Sequence, residues 1–149
     1  MSGNGKGWIA VDLDGTLAQY DQWIGPGHIG EPVPLMLARV KGWLKEGKEV
    51  RIFTARVFPF NDVIYADTPR PSLATHIDNT RLDDAWLAVH SIRRWCYKHV
   101  ERILPITNVK DFGMIEIWDD RAVQVEKNTG IAAVLIHLAD FQPIQKEQS

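Results

Sequence analysis

The stretch Ile9-Ala10-Val11-Asp12-Leu13-Asp14-Gly15-Thr16-Leu17 runs from unbroken apolar residues into two carboxylates one leucine apart. Successive apolar positions over Trp8 to Leu13 suit a strand covered on both faces, so the stretch predicts a strand of a parallel sheet. Asp14-Gly15 is an ordinary way to end such a strand. A turn accounts for one carboxylate and leaves the other unexplained. Its place matters, because in open parallel sheets ligands sit where the strands end.

Outward from this stretch, strand and helix patterns alternate. Ala18 to Pro34 reads as a loop around Gly25-Pro26-Gly27. Pro34 opens a helical pattern in which Leu37, Val40 and Leu44 share a face, and Gly47 ends it. Glu49 to Thr54 is a second strand. Residues 57–80 hold Pro59, Asn61, Asp62, Pro69, Pro71 and Asn79, too many breakers for a regular element, and so predict a long loop near a strand end. Leu82 to Val100 forms a helix with Leu82, Trp86, Val89, Cys96 and Val100 on one stripe. Ile106 to Val109 and Ile115 to Trp118 are short strands, and Val123 and Val125 suggest another before the turn Asn128-Thr129-Gly130. The alternation predicts a single α/β domain over residues 1–149 with a mostly parallel sheet. Residues 1–7 read as a flexible lead-in and 144–149 as a frayed end.

Composition narrows the function. A formal charge of −2 over 149 residues gives no bulk cationic field for sequence-independent nucleic-acid binding. Cys96 is the only cysteine, so no intramolecular disulfide forms, and its helical setting predicts a packed thiol in a reducing, cytoplasmic compartment. The longest later apolar run, Ile131 to Leu138, falls far short of the ~20 residues that span a bilayer, so no membrane partner is expected. The five histidines lack zinc-ligand spacing. Trp43, Trp86 and Trp95 lie on expected helices and read as core.

Four predicted strand ends carry polar groups: Asp12 and Asp14, then Thr54 with Arg56, then Lys110, then Asp119-Asp120. Carboxylates at i and i+2 of an extended segment point to one side. A third from a neighbouring strand completes a hard-oxygen site suited to Mg²⁺. A lysine and a hydroxyl nearby would oppose phosphate charge, with the Gly15 turn offering backbone N–H groups as an anion nest. Together these parts describe phosphoryl transfer.

The chain resembles the haloacid dehalogenase (HAD) superfamily of phosphohydrolases. DLDGT at Asp12 to Thr16 matches the first motif of that family, Thr54 the second, Lys110 the third and Asp119-Asp120 the fourth, over residues 8–130. The resemblance implies a Rossmann-like three-layer sandwich and a role for each residue. Asp12 would be the nucleophile that forms an aspartyl-phosphate. Asp14 would protonate the leaving oxygen and then activate water. Mg²⁺ would be held by the Asp12 carboxylate, the Asp14 main-chain carbonyl and the fourth motif, with Asp120 favoured as the contact and Asp119 orienting Lys110. Thr54 and Lys110 would clamp phosphoryl oxygens, with Gly15, Thr16, Ala55 and Arg56 as further substrate contacts. A salt bridge from Arg56 or Arg121 to the acidic edge is the plain alternative.

Only a loop and one helix separate Thr16 from Thr54, and residues 57–110 must supply a crossover helix, so an essentially capless enzyme is expected. Such an open site admits a large substrate or is covered by a second subunit of a homo-oligomer. Tyr20, Trp23 and His28 fall in the loop that would form the flap of the family. A hydrophobic anchor is their expected role, and contact with a base or sugar the alternative. The substrate reads as a nucleotide or another small phosphate ester. A polynucleotide 3′-phosphatase, a phosphotransferase and a non-catalytic phosphate-binding protein are the competing readings. A basic lane through Arg51, Arg56, Arg70 and Arg81 would favour a nucleic-acid end, and an aromatic pocket would favour the monomer.

Overall fold

A computed structural model of the chain describes residues 7–73 and 78–133. Most of the expected lead-in, most of the Ile131 to Leu138 run and the expected frayed end lie outside these residues. Five strands form one sheet: β1 (Trp8–Asp12), β2 (Glu49–Phe53), β3 (Val63–Ile64), β4 (Ile106–Thr107) and β5 (Met114–Trp118). Their order is β3-β4-β2-β1-β5. The last four in that order run parallel, and β3 pairs antiparallel with β4. Among the described residues, two α-helices, α1 (Pro34–Lys45) and α2 (Asn79–His99), accompany the sheet in an α/β fold.

Strand alternation explains where the core lies. The register sets Ile9 beside Val50, Val11 beside Ile52, and Ile52 beside Ile106, so these side chains share one face. They form one buried cluster with Met36 and Val40 of α1 and with Ala85, Val89, Ile92, Trp95 and Cys96 of α2. Both helices therefore cover the same face. Burial pushes the Cys96 thiol up to about 11, as expected of a packed, unreactive cysteine. Trp95 is buried, and Trp43 and Trp86 pack against the cluster from partly exposed positions.

The opposite face carries Trp8, Ala10, Arg51 and Phe53. There the Arg51 guanidinium lies 4.4 Å over the Trp8 ring and pairs with Glu49 and Asp111. Asp111 accepts from Trp8 Nε1 at 2.8 Å, and this bond, with help from the Gly113 amide, holds its carboxyl below the usual range. The link from β4 to β5 is thus a pinned loop rather than a helical layer.

Residues 57–80 depart from an open loop. Ala55–Val57 makes a 3₁₀ turn, Val57, Phe60 and Ile64 reach the core, and β3 extends the sheet. The sequence hides this because a two-residue strand has no period to detect. Helix α2 starts before the expected Leu82, since the Asp78 side chain accepts from Thr80 N at 2.9 Å and caps it. At Val123 and Val125 there is no strand, only a single antiparallel bridge, Val125 to Ala132, closed by the Asn128–Gly130 turn. Among the described residues, no helix is long and apolar enough to cross a membrane.

Candidate active site

Chain order reverses at β1. Helices α1 and α2 carry the chain outward through β2 to β4, and β5 then returns to the other side of β1. Ligands of open parallel sheets bind at such a switch, beyond the carboxyl ends of the strands. Asp12 closes β1, and Asp119-Asp120 follow β5, whose Trp118 is in register with Val11. The register thus sets Asp12 beside the acidic pair.

One carboxylate oxygen from each of Asp12, Asp119 and Asp120 lies within 4.8 Å of the others. The neighbouring Asp119 and Asp120 charges raise the proton affinity of Asp12. The Asp12 carboxyl is pushed from 3.8 to about 7, first by burial, then by the Asp119 charge and by a hydrogen bond and charge from Asp120. A bonded Leu13 amide works against this, to lesser effect. All three groups are hard oxygen donors, which fits Mg²⁺ and not a thiophilic metal.

The turn after β1 fixes this geometry. Thr16 Oγ1 donates to Asp120 Oδ1 at 3.1 Å and accepts from Asp120 N at 2.9 Å, tying the first strand end to the fourth. Gly15 has φ +89°, and a Cβ there would lie 2.6 Å from Asp120 Oδ2. Only glycine allows that approach without displacing the carboxylate. The expected anion nest at Gly15 does not form, since the Gly15 amide donates to Ala18 O at 2.8 Å and the Thr16 and Leu17 amides turn back to Leu13 and Asp12 carbonyls. A tight turn spends its own donors.

Asp14 leaves the acidic group. The strand ends at Asp12, so the alternation that would align the two carboxylates stops. Arg56 takes Asp14 by both oxygens, Nε to Oδ2 at 2.7 Å and Nη2 to Oδ1 at 2.8 Å. The salt-bridge reading of Arg56 is therefore the one observed. Thr54 is buried after β2, and its hydroxyl accepts from Arg56 N at 3.1 Å while keeping its own hydrogen to donate. The Ala55 amide has no acceptor among the described residues. Lys110 is exposed and makes no hydrogen bond or ion pair among the described residues. Asp119, its expected partner, instead accepts from Arg121 N at 2.8 Å. The structure thus gathers Asp12, Asp119 and Asp120, sets Asp14 on Arg56, and does not pair Lys110 with the acidic pair.

The loop after β1 is anchored differently from expectation. Its base is laced by Gln19 N to Glu31 O and Val33 N to Leu17 O, both 2.8 Å, and by Trp95 Nε1 to Gly30 O at 2.9 Å. Ile29 packs on the core, while Tyr20, Trp23 and His28 stay exposed. None of the three aromatics is the anchor. Trp23 instead lies under the Arg56 guanidinium at 4.8 Å, a contact that sequence spacing gives no means of finding.

Arg56 carries a stability prediction. Its side chain is 5% exposed and its Nη1 has no partner, so Arg56→Gln leaves Asp14 uncompensated in a partly buried site. Urea denaturation is expected to show a loss of about 2–4 kcal/mol. An unchanged midpoint and slope would contradict the pairing.

No protein-family model, curated protein or solved structure matches the chain.

Proposed function

We propose that the chain is a Mg²⁺-dependent phosphomonoesterase of the HAD type, built on a Rossmann-like fold. The observation that carries this reading is the meeting of Asp12, at the end of β1, with Asp119 and Asp120, just after β5, at the switch point of a mostly parallel sheet. Asp12, Asp120, Asp119 and the Asp14 main-chain carbonyl would hold the ion. When bound, Mg²⁺ supplies positive charge that offsets the three carboxylates and a phosphoryl oxygen.

The rest of the chemistry belongs to the protein. The Asp12 carboxylate attacks phosphorus, the bond to the leaving oxygen breaks, and that oxygen takes a proton from Asp14. Water then attacks the aspartyl-phosphate, Asp14 receives its proton, and phosphate leaves with Asp12 restored. Because Arg56 holds both Asp14 oxygens, proton transfer requires this pair to open when substrate enters. The Thr54 hydroxyl and the Ala55 amide have unspent hydrogens for phosphoryl oxygens, and Lys110, free of any carboxylate partner among the described residues, is the cation that swings in.

A small phosphate ester fits better than a nucleic-acid end. Three of the four arginines of the basic lane are neutralised by carboxylates, which breaks any continuous cationic track: Arg51 pairs with Glu49 and Asp111, Arg56 with Asp14, and Arg70 with Asp83. Backbone tracking of a polymer needs unpaired charge.

A phosphate-release screen over mononucleotides, sugar phosphates and 3′-phosphorylated oligonucleotides tests the proposal. Release is expected from monomeric esters, is abolished by chelation and returns with Mg²⁺. Release that persists undiminished under chelation, or none from any ester, would overturn it.

A further inference from the structure

A cavity adjoins Arg56, and Asp12, Asp119 and Asp120 are not in its wall. It measures about 310 Å³ and is open to solvent, and its walls include Trp23, Pro26, Arg56, Phe58, Arg81 and Asp84. Two half-exposed aromatic rings face solvent here, Trp23 at 54% and Phe58 at 50% exposure. Isolated exposed aromatics need no explanation, but these two line one cavity and each carries an arginine. Arg56 lies 4.8 Å over Trp23, and Arg81 lies 5.7 Å over Phe58. The guanidiniums hold the rings in place, which lowers the entropy cost of stacking a ligand on them.

The polar groups of the wall are unequally committed. Arg56 is nearly buried, is spent on Asp14 through two nitrogens, and keeps Nη1 without an acceptor. Asp78 is used as the cap of α2. Asp84 has no hydrogen bond or ion pair among the described residues, and neither does the Arg81 guanidinium beyond its place over Phe58. One carboxylate and one guanidinium are therefore open to a ligand that donates and accepts along its edge while presenting a flat face to two rings.

From this juxtaposition we propose that the cavity binds the nucleoside part of a nucleoside monophosphate, with the base against Trp23 and Phe58 and with Asp84 accepting from an exocyclic amine or a sugar hydroxyl. Arg56 is the shared wall between this cavity and Asp14, so base recognition and the opening of the Arg56–Asp14 pair act through one side chain. The volume of about 310 Å³ is of the size that one base and sugar need. The inference rests on the phosphomonoesterase reading only for the direction in which the phosphate points.

Calorimetric titration of the full chain with adenosine, which has no phosphate, tests the cavity apart from turnover. Saturable binding is expected, weakened about ten- to hundredfold in Trp23→Leu, and also weakened in Phe58→Leu, whose half-exposed ring lies outside the buried core cluster. In hydrolysis, the ratio of kcat/KM for adenosine 5′-monophosphate to that for glycerol 1-phosphate should fall by a similar factor in both variants. Adenosine binding without hydrolysis of any ester would sink the phosphomonoesterase and leave the nucleoside cavity standing. Hydrolysis with no adenosine binding, or with a ratio unmoved by both substitutions, would overturn the cavity and leave the phosphomonoesterase standing.

Discussion

Asp12→Asn is expected to abolish phosphate release, by about 10⁴-fold or more, while making the metal-free chain more stable above pH 7. The two effects have one cause. Asn keeps the volume of the side chain and removes both the nucleophilic charge and the repulsion that this charge suffers from Asp119 and Asp120. Because the folded Asp12 carboxyl titrates at about 7 against 3.8 ordinarily, the folded state holds the proton more tightly than the unfolded chain. Its contribution to stability is complete below pH 3.8 and is lost as pH rises through about 7. At pH 8 without metal, Asp12→Asn should therefore gain on the order of 1–3 kcal/mol, less than the full linkage because water reaches part of the group. At pH 4 the gain should shrink toward zero, and adding Mg²⁺ at pH 8 should stabilise the native chain more than the variant. Thermal melts at the two pH values, beside a phosphate-release assay, check it. A variant that is inactive and also less stable at pH 8 would show that Asp12 is a packing residue and not a charge held under repulsion.

Gly15→Ala is expected to cost activity about 10²-fold or more without unfolding the protein. At φ +89° any side chain is strained, by about 1–3 kcal/mol. The new methyl meets Asp120 at the carboxylate end of a side chain, not at backbone, so the group can swing away and the fold survives. That swing breaks the bond from Thr16 Oγ1 to Asp120 Oδ1 and opens the acidic group. Mg²⁺ affinity should fall about 10- to 100-fold, as when a group that orients a metal ligand is lost. Titration of the folded variant with Mg²⁺, with circular dichroism as the fold control, checks this. Native affinity in a folded variant would mean that Asp120 is not where the ion binds.

The sequence makes the backbone frame legible because the signals there are local. Trp8 to Asp12, Glu49 to Phe53 and Pro34 to Lys45 each combine an apolar pattern with a turn or cap residue, and their bounds match expectation within one or two residues. The acidic group was legible for a related reason, since carboxylates that end neighbouring parallel strands must meet if the strands pair. The competitions between donors were not legible. Spacing cannot say that the Gly15 amide goes to Ala18, or that Arg56 takes Asp14, because each donor had a phosphate and a protein acceptor in prospect. Lys110 failed to meet Asp119 because its loop is pinned through Asp111 to Trp8, a contact across 103 positions with no local mark. Trp23 was expected to anchor its loop, but Ile29 and the Gly30 carbonyl do so, leaving the larger ring in solvent.

The central claim is that carboxylates from β1 and from the end of β5 close on one divalent cation. Isothermal titration of the native chain and Asp120→Asn with Mg²⁺ at pH 6 and pH 8 tests it most directly. The native chain should bind one ion, more tightly at pH 8 than at pH 6 because binding displaces the Asp12 proton, and the variant should lose at least tenfold in affinity. Equal affinity in the two proteins, or binding indifferent to pH across the range in which Asp12 titrates, would contradict it.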